Sequence, residues 1–143
     1  MPAIHRIGLV SVGLTLGLGI SAVSADVVAV VSSKSPITTL SKNQVMDIFL
    51  GKRTSFPDGS PAVPIDQTEG STVRDEFYNR TAGMSPAQVK AFWSKIIFTG
   101  RGQPPKTVAT SLEAKKLLVA NPNAISYIDQ SLVDSSVRVV LAP

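Results

Sequence analysis

The sequence contains no cysteine, and its only histidine is His5, close to the N-terminus. Without thiols there is neither a disulfide framework nor a cysteine nucleophile. Without a histidine beyond residue 5, the rest of the chain cannot form a Ser-His-Asp triad or a zinc site of the usual His/Cys type. The chemistry that remains is that of carboxylates, lysine, arginine and hydroxyl groups, and we expect neither a metal nor another cofactor.

A strong excess of charge of one sign is also missing. Leaving out Arg6, which belongs to the N-terminal segment described next, 13 basic residues face 10 acidic ones, a net charge of about +3. This charge is too small and too dispersed to indicate nucleic-acid binding, so we expect no nucleic-acid partner. It is compatible with an anionic ligand.

The N-terminal segment is predicted to be a secretory signal peptide. His5 and Arg6 precede an apolar run from Ile7 to Val23, and small residues follow up to Ala25. These features are typical of a leader cleaved after Ala25, which indicates export to the periplasm. An uncleaved membrane anchor is the alternative, because the run is nearly long enough to span a bilayer. The glycines in the run and the small residues that follow it favour cleavage. Removal of 25 residues leaves 118 of the 143, enough for one domain spanning 26–143.

Apolar runs and capping signals alternate along residues 26–143. Runs rich in β-branched residues are typical of buried strands, and Ser or Thr followed three residues later by Gln or Glu is one signal of a helix start. Strand-like apolar runs occupy 27–31, 62–65, 124–128 and 137–141, and helices are predicted to begin after Ser41, Ser71, Ser85 and Thr110. Strands that alternate with helices predict a single α/β domain. Residues 100–106, rich in glycine and proline, are predicted to form a loop.

Two of these helices carry predicted core faces. The third is predicted to bury a stripe formed by Val89, Phe92, Trp93 and Ile96, and the fourth to bury Leu112, Leu117 and Leu118. Trp93 is therefore interpreted as a core residue. A ligand platform is the alternative role for this aromatic ring.

The most informative stretch is residues 69–77, which read as the opening of a helix. A helix start collects free backbone N–H groups and the positive end of the helix dipole, so it can hold an anion. Gly70 lets the backbone approach a ligand, and Ser71 and Thr72 offer hydroxyl donors. Arg74 offers a forked cation that can grip two oxygens of a phosphate or carboxylate. The pattern therefore indicates oxyanion binding.

A plainer interpretation of the same residues stays open. Ser71 is then only an N-cap, and Arg74 only pairs with a nearby carboxylate such as Asp75 or Glu69. An enzyme is disfavoured: a hydrolase using Ser71 with a lysine base would need a desolvated lysine, and no motif in the sequence arranges one. We expect no catalytic residues.

Several segments in this order resemble the phosphate-binding proteins of ABC transporters, which have the type II periplasmic-binding-protein fold. The segments that carry the resemblance are 27–31, 41–52, 63–66, 69–77, 92–93, 98–101 and 120–128. The resemblance implies a single lobe with a small mixed sheet flanked by about four helices. It also implies non-enzymatic binding of phosphate or a similar oxyanion, with the membrane component of an ABC transporter or another periplasmic protein as a partner.

In that family a helix start of the Gly-Ser-Gly-Thr-Arg-Asp type supplies hydroxyls and N–H groups to the bound phosphate. Gly70, Ser71 and Arg74 match it. Thr72 stands where the family usually has glycine, and Val73 stands where it usually has a threonine that donates to phosphate. The resemblance therefore implies a ligand site at Gly70, Ser71, Thr72 and Arg74 with one donor fewer than usual.

The resembled proteins bury their ligand between two lobes, and this chain lacks the long N-terminal portion that supplies the other one. We expect weak binding unless a partner protein or a second copy of the chain, as a homodimer, covers the site. The alternative function is a reduced binding-protein-like domain that acts as a periplasmic interaction module without tight ligand binding. An exposed apolar patch would be its structural sign.

Further candidates complete the predicted site. Ser33, in the polar segment after the first strand, could contribute from the carboxyl edge of the sheet, where α/β proteins tend to bind ligands; an ordinary polar loop is the alternative. Selection of phosphate over sulfate would need a group that accepts a proton from hydrogenphosphate. Asp66, Glu69 and Asp75 are the candidates for it.

Overall fold

The computed structural model of the protein describes Gly17 and residues 26–143, so the predicted signal peptide lies outside the described residues apart from that glycine. Within residues 26–143, four α-helices and five strands follow one another, with a 3-10 helix (Gln130–Leu132) between the last two strands. They are β1 (Val27–Ser32), α1 (Lys42–Phe49), β2 (Val63–Gln67), α2 (Thr72–Ala82), α3 (Pro86–Phe98), β3 (Lys106–Val108), α4 (Ser111–Ala120), β4 (Ala124–Asp129) and β5 (Val137–Leu141).

The five strands form one mixed sheet in the order β3-β2-β4-β1-β5. β1 runs antiparallel to both of its neighbours, β4 and β5, whereas β2 runs parallel to β4 and to β3. The prediction of an α/β domain with a small mixed sheet and about four helices is confirmed.

The sheet separates two apolar clusters. Every residue of β1 is buried, and alternate side chains of a strand point to opposite faces. Val27, Ala29 and Val31 therefore join the cluster that includes residues of α1, α2 and α3, while Val28 and Val30 join the cluster that includes residues of α4. Among the described residues, the members of both clusters fall within 27–141.

The helix starts are those that the capping signals predict. Ser41 and Ser85 each form a reciprocal capping box with the glutamine three residues later. At α4 the box is incomplete: Thr110 accepts from the N–H of Glu113 at 3.2 Å, but the Glu113 carboxylate accepts from the N–H of Ala109 at 2.9 Å. Trp93 is buried, as predicted.

The prediction for the buried face of α4 is wrong at one position. Leu112 is 49% exposed, and Ser111, Ala114 and Leu118 are the buried residues of this helix. These three follow the i, i+3, i+7 spacing of one helix face, and Leu112 is offset from it by about 100°. A second difference is β3, which begins at Lys106, where the loop was predicted to end. Its three residues are exposed or half-buried, so they carry no apolar signal of a strand.

Within the described part of the chain, none of the helices combines the length and apolar character needed to span a bilayer.

Candidate functional site

Two helix starts meet at one edge of the sheet. Because β2, β3 and β4 are parallel, their carboxyl ends lie at the same edge, and α2 and α4 begin directly after β2 and β3. Gln67, at the end of β2, links the two helices. Its side-chain oxygen accepts from the Ser71 hydroxyl at 2.9 Å, and its amide nitrogen donates to the Ser111 hydroxyl at 3.1 Å. Gln67 is only 1% exposed. Its buried side chain therefore connects the starts of α2 and α4 through these two hydrogen bonds.

At the start of α2 the N-cap side chain is hydrogen-bonded within the protein, whereas two backbone N–H groups are not. The Ser71 hydroxyl accepts from the N–H of Arg74 at 3.2 Å and donates to Gln67, so both of its functions are occupied. Among residues 26–143, the N–H groups of Thr72 and Val73 have no hydrogen-bond acceptor. Gly70 has a φ of +89°, which favours glycine, and the space around it is open.

Asp66, one residue before Gln67, is the centre of a buried polar network. Its side chain accepts from the hydroxyl of Tyr127, from the hydroxyl of Tyr78 at 2.6 Å and from the N–H of Gln67 at 2.8 Å. The residue is 2% exposed. These three hydrogen bonds offset part of the hydration that a buried carboxylate loses.

Arg74 completes this network from the first turn of α2. Its Nε lies 3.5 Å from Oδ1 of Asp66, and its guanidinium carbon lies 5.5 Å from the ring centre of Tyr78. The arginine is 8% exposed, and its buried Nε has no hydrogen-bond partner among the described residues. The predicted alternative, a carboxylate pair for Arg74, is therefore realised, but with Asp66 instead of Asp75 or Glu69.

The two tyrosines of the network act as neutral donors. Burial raises the pKa of Tyr78 and of Tyr127 far above the usual value, and the charge of Asp66 and the hydrogen bonds to it raise the pKa of both hydroxyls further. The Tyr127 ring stacks on Phe77, with 3.9 Å between ring centres. This packing holds the hydroxyl in place beneath Asp66.

The structure brings four of the five predicted ligand residues together. Gly70, Ser71, Thr72 and Arg74 all lie at the start of α2, with Gly70 and Thr72 exposed, Ser71 half-buried and Arg74 buried. Val73 is half-buried and packs against the apolar cluster on the α1–α3 side of the sheet.

Ser33 lies at the opposite edge of the sheet from this site. Because β1 is antiparallel to β4, and β2 is parallel to it, the carboxyl end of β1 meets the amino ends of β2 and β4. Ser33 is exposed there, and its N–H donates to the carbonyl of Ser136 at 3.0 Å. Ser33 would lie beside the start of α2 only if β1 ran in the same direction as β2.

The three carboxylates considered for proton acceptance differ in access. Asp66 is occupied by the network, Glu69 is exposed, and Asp75 is half-buried. Asp75 lines a cleft of about 570 Å³ between α2 and the start of α3, which reaches the predicted site only at Thr72. In the portion that the structure describes, no group of three or more carboxylate side chains is placed to hold a metal ion.

Sequence reasoning missed Gln67, Tyr78, Tyr127 and Ser111 as parts of this edge. Tyr127 is 61 residues from Asp66, and only the pairing of β2 with β4 brings them together. The one local signal was an aspartate directly after the apolar run that forms β2.

Comparison with known proteins gives the fold its context. No protein-family model matches the chain, and no curated protein matches its sequence. Among solved structures, a candidate phosphate ABC transporter substrate-binding protein with bound phosphate from Clostridium perfringens is similar, with a TM-score of 0.62 and 26% identity over 80% of this chain and 44% of that chain. The chain has the fold of one periplasmic-binding-protein lobe.

Two further structures resemble this lobe. An ABC-type phosphate transport receptor from Vibrio cholerae has a TM-score of 0.63 and 20% identity, over 80% of this chain and 45% of that one. A candidate phosphate binding protein from Planctomyces limnophilus has a TM-score of 0.54 and 12% identity, over 80% and 40% of the two chains. The lobe thus spans less than half the length of each of these structures.

Proposed function

We propose that this lobe binds phosphate or a similar oxyanion at the start of α2 and performs no chemical reaction. The observation that carries the proposal is the placement of Arg74. Arg74 belongs to the first turn of α2, the turn whose Thr72 and Val73 N–H groups have no acceptor among residues 26–143, and its buried Nε lacks a hydrogen-bond partner among the described residues. Backbone donors, a helix dipole and a fixed cation together form an arrangement suited to an anion.

The hydrogen-bond donors that are not used within the protein determine how strongly and how selectively the site is expected to bind an oxyanion. The Ser71 hydroxyl is already occupied, so the anion would receive the free N–H groups, the exposed Thr72 hydroxyl and Arg74. Gly70 and Thr72 are exposed, so water competes with the ligand for these donors. Asp66 is engaged inside the protein and cannot accept a proton from the ligand. We therefore expect weak binding and little discrimination between phosphate and sulfate.

The proposal also covers the location of the protein and its partner. The predicted signal peptide supports export to the periplasm, and the similar structures from C. perfringens and V. cholerae are described as components of phosphate ABC transport. The lobe would hold its oxyanion there and pass it to the membrane component of such a transporter.

Calorimetric titration of residues 26–143 with phosphate at low ionic strength, with sulfate as competitor, tests the proposal. We expect saturable one-site binding, lost in Arg74→Ala and weakened several-fold in Arg74→Lys, because lysine keeps the charge but not the fork. Arg74→Lys also keeps a positive partner for Asp66, so it tests the site even if Arg74→Ala does not fold. The matched control is Arg53→Lys, since Arg53 is 70% exposed and pairs with Asp47 on the surface.

Two results would overturn the proposal. One is the absence of saturable binding up to millimolar phosphate by a folded protein. The other is equal weakening by Arg74→Lys and Arg53→Lys. Either result would favour the second candidate function, a periplasmic interaction module without tight ligand binding. That candidate is supported by the internal use of Ser71 and Asp66, whose polar groups are bonded within the protein.

A further inference from the structure

The surface of α3 that faces away from the core has an unusual composition. Val89 and Trp93 are the buried residues of this helix. At about 100° per residue, the exposed residues fall on one broad arc, which we call the α3 outer face. It consists of Pro86, Ala87, Gln88, Lys90, Ala91, Ser94, Lys95, Ile97 and Phe98. The face therefore has one proline, one glutamine, several small residues, two lysines and two large apolar side chains, with no carboxylate.

The apolar part of this face projects into solvent. Phe98 is 92% exposed and Ile97 is 56% exposed. Fully exposing a phenylalanine leaves a large apolar area in contact with water, which a folded chain usually avoids. Neither residue lines the cleft between α2 and α3. We call these two exposed side chains the apolar projection of α3.

The end of α3 places a further cation beside this projection. Gly100 has a φ of +68°, and its N–H donates to the carbonyl of Ile97 at 3.1 Å. The N–H of Arg101 donates to the carbonyl of Ile96, also at 3.1 Å. This pair of bonds is the Schellman motif, which turns the chain back against the last helical turn. Ile97 and Phe98 thus lie, along the chain, between the exposed cations Lys95 and Arg101.

The charge around the projection is of one sign. Residues 77–112 contain no aspartate or glutamate. Four exposed cations on α3 and the segment after it form no ion pair with any residue of 26–143: Lys90, Lys95, Arg101 and Lys106. An anionic surface that contacts α3 would supply the counter-charges that the chain does not.

We propose that the α3 outer face docks on the surface of an anionic lipid bilayer. Ile97 and Phe98 enter the interfacial region, and the lysines and arginine lie at the level of the headgroup phosphates. The helix is about 20 Å long, and its small residues allow it to lie close to a flat surface. An acidic protein is the less suitable occupant, because the apolar side chains project from a convex helix end. The proposal does not rest on the oxyanion site, which α3 does not contribute to.

Co-sedimentation of residues 26–143 with lipid vesicles tests this proposal. We expect binding to vesicles of equimolar phosphatidylcholine and phosphatidylglycerol, and little binding to phosphatidylcholine alone. Lys95→Glu combined with Arg101→Glu should weaken binding by at least twentyfold, because each cation near an anionic membrane contributes roughly a factor of five. Phe98→Ala should weaken it about tenfold or more, since most of the side chain enters the interface.

The matched controls are Leu112→Ala and Lys116→Glu, which change an exposed apolar residue and an exposed cation on α4, across the sheet. Both should bind vesicles like the unchanged protein. The proposal is overturned if the two vesicle types bind equally, if the controls weaken binding as much as the α3 variants, or if no vesicles bind. Competition by poly-glutamate combined with no effect of Phe98→Ala would instead indicate an acidic protein partner.

Discussion

Both tyrosines of the sequence donate to one carboxylate, that of Asp66. This arrangement gives a carboxyl group that is 2% exposed hydrogen-bond donors in place of the water it loses next to an apolar cluster. Removing Arg74 alone would leave Asp66 buried without its positively charged partner, and breaking a buried ion pair typically costs about 3–5 kcal/mol. The network therefore links the stability of the domain to the residue that carries the proposed site.

Alkaline titration provides a direct test of the tyrosine network. The pKa of both hydroxyls is raised in the folded protein, so the folded state retains these protons above the usual pKa of about 10. The stabilisation is fully present below that pH and is lost as the pH rises further. We expect no tyrosinate absorbance at 295 nm until the chain unfolds, and then a rise that coincides with the loss of the circular dichroism signal.

This measurement has few sources of ambiguity, because the chain has no other tyrosine. Tyrosinate absorbance near pH 10 while the circular dichroism spectrum is unchanged would contradict the described burial. Tyr78→Phe should remove one half of the signal and leave the coincidence with unfolding intact.

The sequence predicts which side chains form hydrogen bonds and ion pairs better than it predicts the residues with which they form them. The cap at Ser71 and the pairing of Arg74 with a carboxylate follow from local spacing. The identity of the carboxylate does not, because Asp66 and Arg74 approach only once β2 and α2 have packed. Tyr127 reaches Asp66 from β4, and no local rule connects residues 61 positions apart.

Helix boundaries are the part of the fold that local chemistry determines most completely. The N-cap of α2 is Ser71, which agrees with the predicted start of this helix. Strand direction depends on long-range pairing instead, which is why Ser33 lies at the opposite edge from the site. The short strand β3 was missed for a related reason, since its pairing with β2 requires no apolar pattern of its own.

Gly83 offers a test at the level of one helix end. Its φ is +64°, and a side chain added there would meet no neighbour within 4 Å. The only cost of Gly83→Ala is therefore the left-handed backbone, about 1–2 kcal/mol. We expect urea denaturation to show that loss, and Gly83→Asn to be destabilised less because asparagine tolerates this conformation. Equal stability of the alanine variant and the unchanged protein would contradict the described end of α2.

The whole domain depends on a sheet shared by two apolar clusters. β1 contributes to both of them, so neither cluster can be lost without disturbing the other. We therefore expect residues 26–143 to unfold in one cooperative transition.

The single tryptophan makes this coupling measurable. Trp93 belongs to the cluster on the α1–α3 side, whereas Leu118 belongs to the cluster on the α4 side. Leu118 is completely buried, so Leu118→Ala should cost about 2–5 kcal/mol. The lower urea midpoint should be the same by Trp93 fluorescence and by circular dichroism. If Leu118→Ala lowers the midpoint measured by circular dichroism but not the one measured by Trp93 fluorescence, the two apolar clusters unfold independently.

The two outer strands of the sheet, β3 and β5, are poorly suited to pair with a strand of another molecule. β3 has only three residues and directly follows Pro104 and Pro105, and short strands flanked by proline are poor templates for a further strand. β5 is accompanied by the segment that connects β1 to α1: Leu40 donates to the carbonyl of Val140, and Arg138 donates to that of Ile37, both at 2.9 Å. Polymerisation by strand addition is thus disfavoured on both sides, which would let the domain accumulate to high concentration without forming fibrils.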